Sequence, residues 1–143
     1  LSPDHLMKLV READDRGHRL VIDCPSFNPL DEADMKRCSD LISYMNVEPV
    51  LVLAADGHPM ELEDNAKAFA QAGCRRVILT RIDAVRRRGG AIAAISSARL
   101  SIASLGLTSN ARCGLTPASS ERIARLFMAA SEVPEADQLK GAA

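Results

Sequence analysis

Three carboxylates stand just past apolar runs in this chain: Asp23 after Leu20-Val21-Ile22, Asp56 after Val50-Leu51-Val52-Leu53-Ala54, and Asp83 after Val77-Ile78-Leu79. Asp83 closes the most informative tetrad, Thr80-Arg81-Ile82-Asp83. A carboxylate there accepts two parallel hydrogen bonds from the N1–H and N2–H2 donors of guanine, a pair adenine does not present. By analogy with paired base contacts, that arrangement is worth about 1–3 kcal/mol of discrimination. Arg81 can lay its stem or guanidinium over the purine face. Taken alone, the tetrad also fits a plain turn in which Asp83 caps the backbone.

Other reactive residue types read as structural. Asp23 resembles a phosphoryl-accepting carboxylate by position, but the second acid such sites need two residues on is Pro25. Cys24 lies at a strand end with no Arg in its loop and no His nearby in sequence, so it is expected to be a buried or half-buried spectator. Cys24, Cys38, Cys74 and Cys113 form no CxxC pair and have no His pairing, which argues against zinc and redox motifs and for reduced thiols in a cytosolic protein. His5 and His18 read as surface helix and turn residues, and His58 as structural in a loop on the ligand side. Arg75, Arg76, Arg81, Arg86, Arg87, Arg88 and Arg99 make a locally basic stretch opposed mainly by Asp83. It is either a solvated face flanking a nucleotide pocket or a surface for anionic lipid or an acidic partner.

The chain of 143 residues is long enough for one core. It is 47% hydrophobic and 26% charged, a globular balance that excludes disorder as the main state. A net charge of −1 supplies no global field toward nucleic acid or anionic lipid. Phe27, Tyr44, Phe69 and Phe127 are too scattered to form a base-stacking platform, so no direct nucleic-acid binding is expected. No uncharged stretch reaches the roughly 18–20 apolar residues of a membrane span. The first residue is Leu1 and no signal-peptide pattern follows, so a fragment of a longer protein is expected.

The elements that must position these residues alternate. Ser2-Pro3-Asp4 starts a helix through a hydroxyl cap, Pro in the first turn and an acid at the positive dipole end, and Gly17 stops it. A strand is expected at residues 20–22, a loop at 23–29, a helix at 31–45, a strand at 49–54 and a loop at 56–59. A helix at 61–72 closed by Gly73, a strand at 76–80, a helix at 89–99, a strand at 100–105 and a helix at 117–130 follow, with residues 131–143 as a disordered tail. Uninterrupted apolar strands imply burial on both faces, and helices between them are right-handed crossovers between parallel neighbours. The fold class is α/β, a three-layer sandwich around a mostly parallel sheet. Ligands of such sheets sit beyond the carboxyl ends of the strands, where Asp23, Asp56 and Asp83 lie.

Residues 80–91, Thr-Arg-Ile-Asp-Ala-Val-Arg-Arg-Arg-Gly-Gly-Ala, resemble the segment TKLDGxAxGG of the GTPases of the signal recognition particle (SRP) type. Residues 20–24 resemble the strand that ends in the DTAGR loop of that family, and Ala55-Asp56-Gly57-His58 opens a loop similar to its DATTGQ segment, which faces a partner GTPase. Ser104-Leu105-Gly106-Leu107-Thr108 stands at the place of its closing GxG loop. The resemblance spans most of residues 1–128, and within the family it is nearest to the flagellar-placement (FlhF-like) branch. It implies a P-loop NTPase-like fold over residues 1–130. It also implies guanine-side contacts from Thr80, Arg81, Asp83 and Gly106, and a phosphate side at Asp23 and Ser26, with Asp23 holding magnesium through water in a complete site. GTP or GDP and Mg2+ are the implied cofactors. A homodimer or partner GTPase, and a cytoplasmic protein placed peripherally at the inner membrane for protein targeting or flagellar placement, are the implied setting.

Departures accompany the matches. No GxxxxGK[ST] occurs, so the backbone cradle and lysine for a triphosphate are absent from these residues. Ser26 replaces the glycine of DTAGR, Ala54 and His58 replace the acid and the glutamine of DATTGQ, and Arg81 replaces the usual lysine. The expectation is the C-terminal half of a GTPase domain whose phosphate loop lies upstream, unable to hydrolyse GTP alone. The rival is a degenerate, non-catalytic GTPase-like module that binds a protein partner, and a plain α/β domain with no nucleotide history is the third reading. Loss of upstream strands would leave a sheet edge open to association.

Overall fold

The computed structural model describes residues 3–128. The expected cap Ser2 and the expected disordered tail at residues 131–143 lie outside the described residues. The chain divides into two compact units between Val47 and Glu48.

The first unit holds helix α1 (Pro3–Asp15) and helix α2 (Glu32–Met45). Gly17, at φ 65°, ends the turn after α1: its N–H donates to Asp14 O and the His18 N–H to Ala13 O, the paired bonds of a left-handed helix stop. The Asp31 carboxylate caps α2 by accepting from the Ala33 and Asp34 N–H groups at 2.9 and 3.3 Å. Cys38 and Met45 are its buried residues.

The expected strand at residues 20–22 does not form. The segment joins no ladder, and Leu20 and Val21 are 46% and 92% exposed. The backbone groups of a strand are satisfied only by a neighbouring strand, so three apolar residues without one stay irregular chain.

The second unit is a four-stranded sheet in the order β1 (Val50–Ala54), β2 (Arg76–Thr80), β3 (Ser101–Leu105), β4 (Thr116–Pro117). β1 to β3 are parallel: β1 meets β2 from Val50 against Arg76 to Ala54 against Thr80, β2 meets β3 with a shift between Val77 and Ile78, and β4 is antiparallel to β3. Helix α3 (Pro59–Gln71) and helix α4 (Gly89–Ser97) are the crossovers and pack on each other. Their small buried residues Ala66, Ala91 and Ala94 allow that approach. Gly90 sits against Pro59, where an added Cβ would lie 2.7 Å from the Pro59 Cγ. Val77, Leu79, Ile95 and Leu105 form the centre of the core, each worth roughly 1.5–3 kcal/mol on burial.

Three expectations change here. β1 is buried on one face only: Leu51 and Leu53 are enclosed in the core with Leu62 and Ala66 of α3, while Val50 and Val52 on the alternate face remain 40% and 63% exposed. The last helix, α5, runs Ser120–Met128 and not from residue 117, because Pro117 and Ala118 are taken up beside β3, with the Ala118 N–H donating to Ala103 O. Ser119 Oγ then accepts from the Arg122 N–H at 3.2 Å and sets the helix start. Helix α3 begins earlier than expected, at Pro59, because His58 Nδ1 accepts from the Met60 N–H at 3.3 Å as its cap. No described helix is long and apolar enough to cross a membrane.

Candidate functional site

The carboxyl ends of β2 and β3 are locked together by backbone. The Gly106 N–H donates to Leu79 O at 2.8 Å, and the Ile82 N–H donates to Gly106 O at 3.4 Å. Gly106 is buried, and a Cβ there would lie 3.3 Å from Thr80 Cα and 3.4 Å from its Cγ2. A glycine at this place lets the β3 end lie flat against Thr80. Thr80 ties the other way as well, its Oγ1 donating to Leu53 O at 3.3 Å and its carbonyl accepting from the Ala55 N–H at 2.9 Å.

From that anchor the chain turns sharply. Arg81 is left-handed at φ 56° and ψ 29°, and residues Ile82–Ala84 form a single 3-10 turn. Ile82 is buried at 3% exposure, which pins the turn to the core and leaves Asp83 outside it. The Asp83 carboxylate has no hydrogen-bond or ion-pair partner among the described residues, so it does not serve as a backbone cap. Arg88 braces the turn from below, its Nε donating to Ile82 O at 3.4 Å.

The opposite wall is the loop between β3 and β4. Thr108 Oγ1 accepts from the Asn110 N–H at 3.1 Å, Asn110 Oδ1 accepts from the Arg112 N–H at 3.0 Å, and Gly114 turns the chain at φ 64°. A cavity of about 520 Å3 lies between the walls, within the range of small-molecule sites. Thr80, Arg81, Asp83 and Gly106 line it on one side, with Thr108, Ser109, Asn110 and Leu115 across from them. All four residues expected on the guanine side thus share one cavity. Of the second wall, Thr108 falls in the expected closing loop, whereas Ser109, Asn110 and Leu115 were missed, although the run Thr108-Ser109-Asn110 carries a side-chain turn signal that could have found them.

Asp23 and Ser26 lie in the first unit, in the exposed loop ahead of α2, whereas Thr80, Arg81, Asp83 and Gly106 lie in the second. Among the described residues no group of three or more His, Cys, Asp or Glu side chains is arranged to hold a metal ion. Cys24 is exposed, not buried or half-buried as expected, because its segment lies outside any sheet. Cys38 is buried, and that burial first, with the nearby Cys24 and Asp34 after it, pushes its thiol up from the usual range.

The basic stretch is mostly spent on local contacts. Arg75 donates to Ala70 O and Cys74 O at the end of α3. Arg76 pairs with Glu48 at 3.1 Å and Arg81 with Asp56 at 2.7 Å. Arg88 donates to Ile82 O and Leu126 O. Arg86, Arg87 and Arg99 stand exposed without such partners among the described residues. No family model matches the chain, and no curated protein is significantly similar to it.

Proposed function

We propose that the second unit is the base-recognising part of a guanine-nucleotide-binding domain of the SRP-type GTPase kind. The observation that carries the reading is the shared cavity of Thr80, Arg81, Asp83 and Gly106, with the Asp83 carboxylate free of partners among the described residues. Guanine N1–H and N2–H2 donate to that carboxylate, the Arg81 guanidinium covers a purine face, and the backbone around Gly106 walls the base. The P-loop NTPase affiliation, magnesium through water at Asp23, phosphate contact by Ser26, and a role in protein targeting or flagellar placement belong to the same proposal and rest on the sequence resemblance, and the three-layer arrangement joins it from the alternation of apolar strands and helices. With no GxxxxGK[ST] among its 143 residues, this chain binds guanine nucleotides without hydrolysing GTP.

The test is direct titration of the chain with GDP and ADP. Selective GDP binding supports the reading. Equal or absent binding of both removes it and leaves the partner-binding module, favoured by the exposed apolar Val50 and Val52 on edge strand β1.

A further inference from the structure

Arg81 has a partner that base recognition does not require. Its guanidinium reaches from the end of β2 to the turn after β1, where its Nε lies 2.7 Å from Asp56 Oδ2. The side chains are 61% and 35% exposed, and Arg81 lines the cavity while it is so held. Asp56 itself does not line the cavity. The two turns are also joined through backbone, the Ala55 N–H donating to Thr80 O at 2.9 Å, so Asp56 is held at a fixed reach from Arg81. A free arginine on a left-handed backbone position would spread its head group over many rotamers; a carboxylate fixed beside Nε keeps it at one place.

We propose that Asp56 is a positioning residue for nucleotide binding: it holds the Arg81 guanidinium at the rim of the cavity as a pre-set platform for the purine face. The inference rests on the guanine-side reading above and extends the site to the turn after β1. The ion pair also neutralises Arg81, so removing Asp56 has two effects of opposite sign on an anionic ligand. Uncharged guanosine only loses the platform. GDP loses it as well, but gains attraction to an arginine whose charge is no longer offset. A merely structural role for Asp56 would not separate the two ligands. Because the pair is largely exposed, Asp56→Ala should leave the melting temperature nearly unchanged.

The experiment is calorimetric titration of the whole chain with guanosine and with GDP, at low and high salt, for the wild type, Asp56→Ala, Asp56→Glu, Arg81→Ala and the double alanine variant. Asp56→Ala should weaken guanosine about tenfold and GDP by less, with a steeper salt dependence for GDP. Asp56→Glu should recover most of the guanosine loss, and the double variant should bind like Arg81→Ala alone. Additive losses, or a guanosine affinity unchanged or raised in Asp56→Ala, would overturn the positioning role. If Asp83→Asn abolishes guanosine binding while Asp56→Ala leaves it intact, the base site stands and only this inference falls. If the wild type binds neither ligand, the base site falls too.

Discussion

The Arg88 guanidinium donates from Nη1 to the Leu126 carbonyl at 3.1 Å, tying the last turn of α5 to the turn that carries Asp83, whose Ile82 carbonyl its Nε also reaches. A guanidinium that donates to two carbonyls on different elements joins them through charge-assisted hydrogen bonds. Arg88→Ala should therefore cost about 1–2 kcal/mol, with faster hydrogen exchange concentrated in α5 and in residues 82–85. Arg88→Met keeps most of the apolar stem and should recover little, because the lost interaction is the charge-assisted hydrogen bond and not packing. Exchange that rises evenly across the second unit would contradict this local role.

Gly106→Ala tests the close approach of β3 to β2. The added Cβ would lie 3.3 Å from Thr80 Cα, a backbone atom that cannot swing aside. A destabilisation of about 1–3 kcal/mol in urea unfolding is expected, together with weaker guanine binding as the strand ends part. Gly114→Ala makes the contrast: nothing lies within 4 Å of its Cβ, and only its φ of 64° resists. Its cost should be about 1 kcal/mol. Equal costs at the two positions would mean that crowding is not what Gly106 avoids.

These positions also mark how far the sequence could be read. β2, α4 and β3 were legible because each combines an apolar run with glycine or turn residues at both ends, and their mutual pairing then supplies the ladder that the pattern assumes. Leu20-Val21-Ile22 has the same pattern without a pairing neighbour, so periodicity over-reads it. The side of the cavity built on Thr80, Arg81, Asp83 and Gly106 was legible as local chemistry at two strand ends. The Asp56 pairing was not, because it joins residues 25 positions apart through the β1–β2 register, in which Ala54 stands opposite Thr80. Helix α5 was placed too early because Pro117 fits a helix start as well as it fits a short edge strand that needs no N–H from it.

Asp83→Asn should change which base is bound without changing the fold. Its carboxylate has no protein partner among the described residues, so unfolding should move by less than about 0.5 kcal/mol. An amide at this position offers one donor and one acceptor where the carboxylate offers two acceptors. Guanine then loses one bond and faces an N–H against its own N2–H2, whereas xanthine presents a carbonyl there. GDP binding should fall about tenfold or more and xanthosine diphosphate should become the better ligand. A variant that loses GDP without gaining xanthosine diphosphate would place Asp83 outside direct base contact.

Acid should loosen the helical layer through Glu63. Its carboxylate accepts from Lys67 Nζ at 2.5 Å within α3 and from Ser97 Oγ at 2.7 Å at the end of α4, and these bonds, Lys67 first, hold its pKa below the ordinary value. A carboxyl whose pKa is depressed in the folded state contributes stability above its unfolded pKa near 4.5, and loses it as the pH falls through the folded value. Asp34 behaves alike in the first unit, where the Asn28 N–H and then Arg37 lower it. The urea midpoint of the second unit should thus hold level from pH 7 to about 5 and decline below it. In Glu63→Gln the decline should be shallower, since the amide keeps a bond from Ser97 but does not titrate. Exchange of the α3–α4 contact, read at Ala94 and Ile95, separates this from general acid unfolding: in the wild type it should accelerate at a higher pH than exchange at Val77 in the centre of the sheet.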